Sequence, residues 1–255
     1  HSFPTRRSSD LDKEDIVIYS NATAGVSLPA HYKGTHMSRF VEVLNEWRSK
    51  HTLGVDIKGC VEAIVKRLEA KSGYLKFDFK YFIDKKAPVT GISAPMCYDC
   101  SFEGILDNYG EEDEEYRFFL CVKVPVTTLC PCSKEISDFG AHNQRAIVSV
   151  KITYPEDEHI WLEDLVKDIE GCASCELYSL LKREDEKYVT EHAYKNPMFV
   201  EDVLRDVVLL LRNNGYNFFK RMFFEIFGFG GNYNVNYINS ARTKFRTRSA
   251  FQAQI

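Results

Sequence analysis

No stretch of this 255-residue chain reaches the ~18 consecutive apolar positions that a membrane-spanning helix needs. The greasiest run, Val207 to Leu211, is bounded by Arg205 and Arg212. The N-terminal residues hold no apolar segment of the kind a signal peptide carries. Cysteine occurs eight times, too thinly over this length for a secreted disulfide scaffold. A strong charge of one sign is also missing. The formal net charge is −4, so the molecule as a whole does not attract nucleic acid, and a polyphosphate ligand would need a local cationic pocket. A GxxxxGK[ST] segment is absent, which excludes a P-loop nucleotide site. The expectation is a soluble, reduced, cytoplasmic protein with neither a membrane nor a nucleic acid as partner.

What is present is ordinary globular composition, 44% hydrophobic and 27% charged, arranged in readable periods. Residues 16–28 read as a strand. Residues 38–48 place Phe40, Val41, Val43, Leu44 and Trp47 at helical spacing with Ser38 as N-cap. A second amphipathic helix runs over 56–71 and is stopped by Gly73. Residues 74–83 alternate as a half-exposed strand, and 98–106 with 116–126 form a hairpin across the acidic turn 110–115, a solvated charge run. A strand at 146–154, a helix at 162–169, a broken helical stretch to Tyr194 and a last helix begun by Pro197 and ending near Arg212 complete the order. This order predicts an α+β fold, with helices on one face of an antiparallel sheet.

The stretch Thr127-Thr-Leu-Cys-Pro-Cys-Ser-Lys-Glu-Ile-Ser-Asp-Phe-Gly-Ala-His-Asn-Gln-Arg145 is the most informative. Cys130 and Cys132 flank one proline, and His142 follows in a polar, turn-forming segment between strand-like arms. Thiolate and imidazole are good transition-metal ligands. Buried structural thiols with a surface histidine are the bland alternative. A closed zinc ribbon would have to draw on Cys97-Tyr-Asp-Cys100 and Cys172-Ala-Ser-Cys175, but alternate residues of a strand point to opposite faces, which sets Cys97 and Cys100 apart.

The same stretch resembles the active-site loop of type IB GTP cyclohydrolases. So do Lys33-Gly-Thr-His-Met-Ser-Arg-Phe40, Leu180-Leu-Lys-Arg-Glu-Asp-Glu-Lys-Tyr-Val-Thr-Glu191 and Asn196-Pro-Met-Phe-Val-Glu-Asp202. The likeness covers about residues 14–220. It implies a tunnelling fold: antiparallel sheets with helix pairs packed on one face, two related halves in one chain, and subunits joining their sheets in a homo-oligomer, a tetramer. It implies hydrolytic opening of the guanine ring of GTP to 7,8-dihydroneopterin triphosphate and formate. One divalent transition metal per site, zinc, manganese or iron, is implied on Cys130, His142 and Glu186, the carboxylate of Asp185-Glu186-Lys187. Residues alone would make Glu186 an exposed helix position. Glu201 is implied to hold the guanine edge, where residues alone suggest a helix N-terminal charge. His36, Arg39, Lys134 and Arg145 lie in or beside the matching segments as candidates for the triphosphate, and Cys132 is a candidate for tuning or proton transfer.

The likeness fails at both ends. Residues 1–11 are read as a non-native leader, 12–226 as a single cyclohydrolase-like domain, and 227–255 as an atypical tail such as a frameshift or chimeric assembly would produce. The family's closing Glu-Ser-Ile-His-Asn-His motif is replaced by Glu225-Ile-Phe-Gly-Phe-Gly-Gly-Asn-Tyr-Asn234, and no histidine follows His192. That Glu and His are therefore not carried over, Glu225 is not offered in their place, and weak or absent turnover is implied. The rival readings are a tunnelling-fold nitrile reductase with a cysteine nucleophile and NADPH, and a non-catalytic nucleotide- or metal-binding relative.

Overall fold

Alternating and helical hydrophobic periods resolve into the expected element types. The structure, a computed structural model, describes residues 18–27, 37–48, 57–153 and 160–213, together with the backbone of 223–228, 233–238 and 246–249. The strands are β1 (Ser20–Val26), β2 (Gly73–Lys86), β3 (Ser93–Asp107), β4 (Glu115–Leu129), β5 (Asn143–Ile152), β6 (Cys175–Glu176), β7 (Phe223–Gly228), β8 (Tyr233–Ile238) and β9 (Arg246–Ser249). The helices are α1 (Met37–Arg48), α2 (Ile57–Arg67), α3 (Pro131–Ile136), α4 (Leu162–Gly171), α5 (Arg183–Lys195) and α6 (Val200–Asn213). Backbone hydrogen bonding orders the strands β1-β2-β3-β4-β5-β7-β8-β9, and β6 pairs with β4. The β1–β2, β4–β6, β5–β7, β7–β8 and β8–β9 pairings are antiparallel, so the α+β reading holds at this level.

The chain divides into two units, each assembled from three separated stretches. Unit 1 takes residues 1–80, 100–120 and 153–161. In it β1 pairs with β2, from Ser20 opposite Phe79 to Val26 opposite Gly73. Helix α2 buries Ile57, Cys60, Val61, Ile64 and Val65, and α1 buries Phe40 and Val43. Two glycines let α2 approach the strands. A Cβ on Gly73 would lie 2.4 Å from Val65 Cγ2, and one on Gly104 would lie 2.7 Å from Ile57 Cγ2. Phe79, Phe102 and Phe118 stack in series, with centroids 5.0 and 5.9 Å apart. The acidic turn between β3 and β4 is solvated, as expected. Its Glu111 meets Lys71, and its Asp113 accepts from the Asn108 amide at 2.8 Å.

Unit 2 takes residues 81–99, 121–152 and 162–255. Helices α4 and α6 pack together, each with one apolar face: Leu162, Leu165, Val166 and Ile169 on α4, and Val203, Leu204, Val207 and Leu211 on α6. Helix α5 lies against β6.

Several boundaries differ from the sequence reading. Ser38 is not the N-cap of α1, because the helix already includes Met37. Gly73 does not stop α2. That helix ends at Arg67, the chain turns through Glu69 at a left-handed φ of 53°, and Gly73 opens β2. Pro197 precedes α6, which starts at Val200. The Met198 N–H is instead used on the Leu129 carbonyl at 2.9 Å. The broken stretch before Tyr194 is β6 followed by α5.

Candidate active site

Strand β4 runs out at Leu129 and β5 begins at Asn143, so Cys130 and His142 stand where the two arms meet. The Cys130 N–H donates to the His142 carbonyl at 2.8 Å, which places the two residues side by side at the neck of the loop. Ser133 braces that neck. Its hydroxyl accepts the His142 N–H at 2.7 Å and donates to the Cys130 carbonyl at 3.1 Å. Pro131 fills the first turn of α3, where its missing N–H costs nothing. The expected Cys-Pro-Cys loop thus holds a short helix, on which Cys132 is exposed.

Helix α5 closes over this neck. Leu129, Cys175 and Ala193 form a buried cluster, and Ala141 and Val189 pack against it. Leu129 and Ala141 are the immediate neighbours of Cys130 and His142. Val189 and Ala193 lie three and seven residues beyond Glu186, the spacing of one helical face. The packed face of α5 carries Asp185, Val189 and Ala193 at four-residue steps, and Glu186 stands exposed at its edge in the first turn. Helix α6 is drawn in by the Met198–Leu129 bond, and its first turn carries Glu201. Asp202 takes the local duties of that turn, accepting from the Phe199 N–H at 3.4 Å and from Arg205 at 2.6 Å, so Glu201 is exposed and uncommitted among the described residues.

Cys130, His142 and Glu186 make no side-chain hydrogen bond or ion pair among the described residues. Sulfur, nitrogen and oxygen donors of this kind suit zinc, iron or manganese. Neck and helix face bring the three segments together, but the side chains do not close. Among the described residues no group of three or more His, Cys, Asp or Glu is placed to hold a metal ion.

Beside the neck lies a cavity of about 440 Å³ whose lining includes Asn143, Gln144, Arg145, Glu176, Tyr178 and Thr190. Arg145 is exposed, has no ion pair among the described residues and lines this cavity. Lys134 is already engaged: its Nζ donates to the Tyr194 carbonyl at 2.6 Å and sits 4.4 Å over the Tyr194 ring. Arg39 belongs to unit 1 and donates to the Arg67 carbonyl at 3.2 Å. His36 lies outside the described residues.

The sequence reading missed a polar cluster behind the cavity. Lys85 Nζ lies 2.8 Å from Glu170 and 2.6 Å from Glu176, donates to the Leu177 carbonyl at 2.9 Å and covers the Tyr178 ring at 4.6 Å. Tyr98, fully buried, donates to Glu170 at 2.8 Å. Burial raises the Glu170 carboxyl above its ordinary range even with Lys85 beside it. Glu176 also feels burial, but bonds from Lys85 hold it below the usual value. Burial pushes the nearby thiols up, Cys172 to about 12 and Cys175 to about 11. One signal was available. Glu170 follows Leu162 and Val166 at four-residue steps, on the apolar face of α4.

A second omission is Asp185, fully buried one residue before Glu186. Its Oδ1 accepts the Val89 and Thr90 N–H groups at 2.9 and 3.0 Å. Its Oδ2 accepts the Thr90 hydroxyl at 2.7 Å and the Lys182 N–H at 2.9 Å. Burial alone would raise this carboxyl, but the four hydrogen bonds outweigh it and hold the group well below the carboxylate range.

A family model described as type I GTP cyclohydrolase FolE2 matches residues 6–225. The GTP cyclohydrolase FolE2 of Geotalea uraniireducens is 50% identical over 198 residues, covering 77% of this chain and 70% of that protein. Its namesake in Thiobacillus denitrificans is 50% identical over 198 residues, covering 77% and 71%. That of Syntrophus aciditrophicus is 48% identical over 206 residues, covering 80% and 78%. Among solved structures, the urate oxidase of Bacillus sp. TB-90 aligns with a TM-score of 0.50 at 8% identity, covering 91% of this chain and 84% of that one. At that identity the likeness is one of fold, and it is to a tunnelling-fold protein.

Proposed function

We infer from membership of the type I GTP cyclohydrolase FolE2 family, to which this chain belongs, that it is a hydrolase opening the guanine ring of GTP. GTP and water give 7,8-dihydroneopterin triphosphate and formate, the entry to tetrahydrofolate and pterin synthesis. The family match is stated as type I, FolE2, and the IB subtype read from the sequence is finer than that match. The observation that carries the site assignment is the packing of Val189 and Ala193 against Leu129 and Ala141, with Cys130 bonded to His142. It sets the Glu186 turn of α5 over the neck that presents a thiol and an imidazole.

In this reading Cys130, His142 and Glu186 would hold a divalent transition metal, zinc, manganese or iron. Such an ion, when bound, lowers the pKa of a water from ~15.7 to about 7 and so supplies a nucleophile for the purine C8 at neutral pH. Glu201 accepts two N–H bonds from the guanine edge, a bidentate and charge-assisted pairing for which its uncommitted carboxylate is suited. Arg145, on the cavity wall, takes the triphosphate. Lys134 joins it only by leaving Tyr194, and His36 and Arg39 are the remaining cationic candidates. Cys132 moves a proton at the rim. Each unit contains a helix pair, α1 with α2 and α4 with α6, which supports two related halves, and a cytoplasmic homotetramer whose subunits complete one another's sites is the assembly that accords with them.

The test is formate release from GTP by the chain with its closing Glu-Ser-Ile-His-Asn-His motif restored, beside the chain as it stands, supplied in turn with Zn²⁺, Mn²⁺ and Fe²⁺. Release with at least one ion is expected from the restored chain, and weak or no release from the other. GTP binding without formate would place the chain with non-catalytic relatives, and NADPH consumption on a deazaguanine nitrile without a metal would place it with the reductases.

A further inference from the structure

Glu186 has no side-chain partner among the described residues, so its position is set wholly by its backbone. That backbone is fixed locally, because the Glu186 N–H donates to the Lys182 carbonyl at 2.9 Å and its carbonyl accepts the Thr190 hydroxyl at 2.8 Å. What fixes the first turn of α5 in unit 2 is Asp185. An acid at this helix position ordinarily needs only the single bond back to the residue before the helix, here the Lys182 N–H. Asp185 makes three more, all to the turn between β2 and β3, some 95 residues earlier in the chain. That turn is itself closed. The Ala87 N–H donates to the Ile92 carbonyl at 2.9 Å, the Gly91 N–H donates to the Ala87 carbonyl at 3.1 Å, and Gly91 takes a φ of 69°, which glycine adopts without strain. The helix thus has two attachments, Asp185 at its start and Val189 with Ala193 on the neck, and Glu186 lies between them.

We propose that Asp185 is a positioning residue for the metal site: by bolting the first turn of α5 to residues 89 and 90 it holds Glu186 at the reach needed to join Cys130 and His142. This rests on Glu186 being a ligand. Acting from outside the coordination sphere, Asp185 sets affinity through the placement of its neighbour, the way outer-shell partners usually act. With the bolt cut, the helix stays attached through Val189 and Ala193 while its first turn frays and Glu186 wanders.

The experiment is a Zn²⁺ titration of the full chain against a competing chromophoric chelator, alongside thermal unfolding. The variants are Asp185→Asn, which removes the charge and the acceptor for the Lys182 N–H, Thr90→Ala, which removes the hydroxyl bond to Oδ2 and keeps the carboxylate, Glu186→Gln, and Ile169→Val as a core change in α4 that touches neither attachment. Asp185→Asn is expected to weaken Zn²⁺ binding about 10–100-fold, the range for outer-shell partners. Thr90→Ala should weaken it in the same direction by less, and Ile169→Val should lower the melting temperature without moving Zn²⁺ affinity. Where Asp185→Asn fails to fold, Thr90→Ala decides. Native Zn²⁺ affinity in folded Asp185→Asn or, failing that, in Thr90→Ala, while Glu186→Gln binds weakly, overturns the proposal and leaves the ligand assignment standing. Native affinity in Glu186→Gln overturns both.

Discussion

The two units bury charge to different extents. Among the described residues of unit 1 the ion pairs of Arg67 with Glu42 and Glu46 and of Lys71 with Glu111 sit outside, and that of Arg117 with Asp107 is half-buried. Its interior is mainly apolar, with Ser101 and Glu103 the buried polar residues among those described, and helix and strand approach closely only because Gly73 and Gly104 lack side chains. In unit 2 Lys85, Glu170 and Asp185 are drawn inside and almost wholly bonded. Burying charge is expensive and is repaid only by near-complete hydrogen bonding. Unit 1 is built as a scaffold, and unit 2 accepts that cost around the loop neck, the cavity and α5. Seven of the nine candidate site residues fall in unit 2 and Arg39 falls in unit 1, while His36 lies outside the described residues.

The largest break in this contrast is Lys85→Met. It strands Glu170, and removing one partner of a buried pair costs about 3–5 kcal/mol. Chemical denaturation should show the loss at neutral pH. The deficit should shrink as pH falls, because protonating Glu170, whose carboxyl is already raised, removes the orphaned charge. Formate release should fall too, since Lys85 also holds Glu176 at the cavity.

Next in size is Gly73→Ala in unit 1. The new methyl would lie 2.4 Å from Val65 Cγ2, and overpacking of this kind typically costs about 1–3 kcal/mol. If unit 1 is scaffold, the folded variant keeps native Zn²⁺ affinity, and a matching loss of affinity would erase the distinction between the units.

The thiols of unit 2 give a pH signature. Cys172 and Cys175 have folded values raised to about 12 and about 11, while in the unfolded chain they ionise near 9. Their contribution is intact below pH 9 and is lost as pH rises from there toward 11 or 12, because the unfolded state releases protons first. The loss by pH 10 is roughly 1–2 kcal/mol for each thiol, and Cys172→Ala with Cys175→Ala should flatten the alkaline limb of a stability–pH curve. The smallest effect belongs to the surface. Arg67→Ala, with a side chain 41% exposed, should change stability by less than ~1 kcal/mol and respond to salt.

How far the sequence revealed this depends on whether a feature is local. The period-two run from Leu75 to Tyr81, the β3–β4 hairpin and the helix at 162–169 are local, and the structure places them as read. The α2 stop was misread because Gly73 serves a packing contact with Val65, which no helix-end rule contains. Pro197 was misplaced because the Met198 N–H is spent on Leu129, a tertiary bond. Lys85 sits in the polar run Asp84-Lys85-Lys86 beyond the strand read at 74–83; its partners lie some 85 and 91 residues away. Asp185 looked like one more acid in an exposed triplet for the same reason. The Cys130–His142 neighbourhood was legible, since one loop carries both, whereas Glu186 became a candidate only through family resemblance.

The central claim is that Cys130, His142 and Glu186 in unit 2 share one ion. Elemental analysis after reconstitution and desalting tests it directly, on the native chain beside Cys130→Ala, His142→Ala and Glu186→Gln. The account predicts one divalent ion per native chain and a marked deficit in each variant at unchanged melting temperature of the metal-free proteins. A full complement retained by any of the three, or no ion held by the native chain, would contradict it.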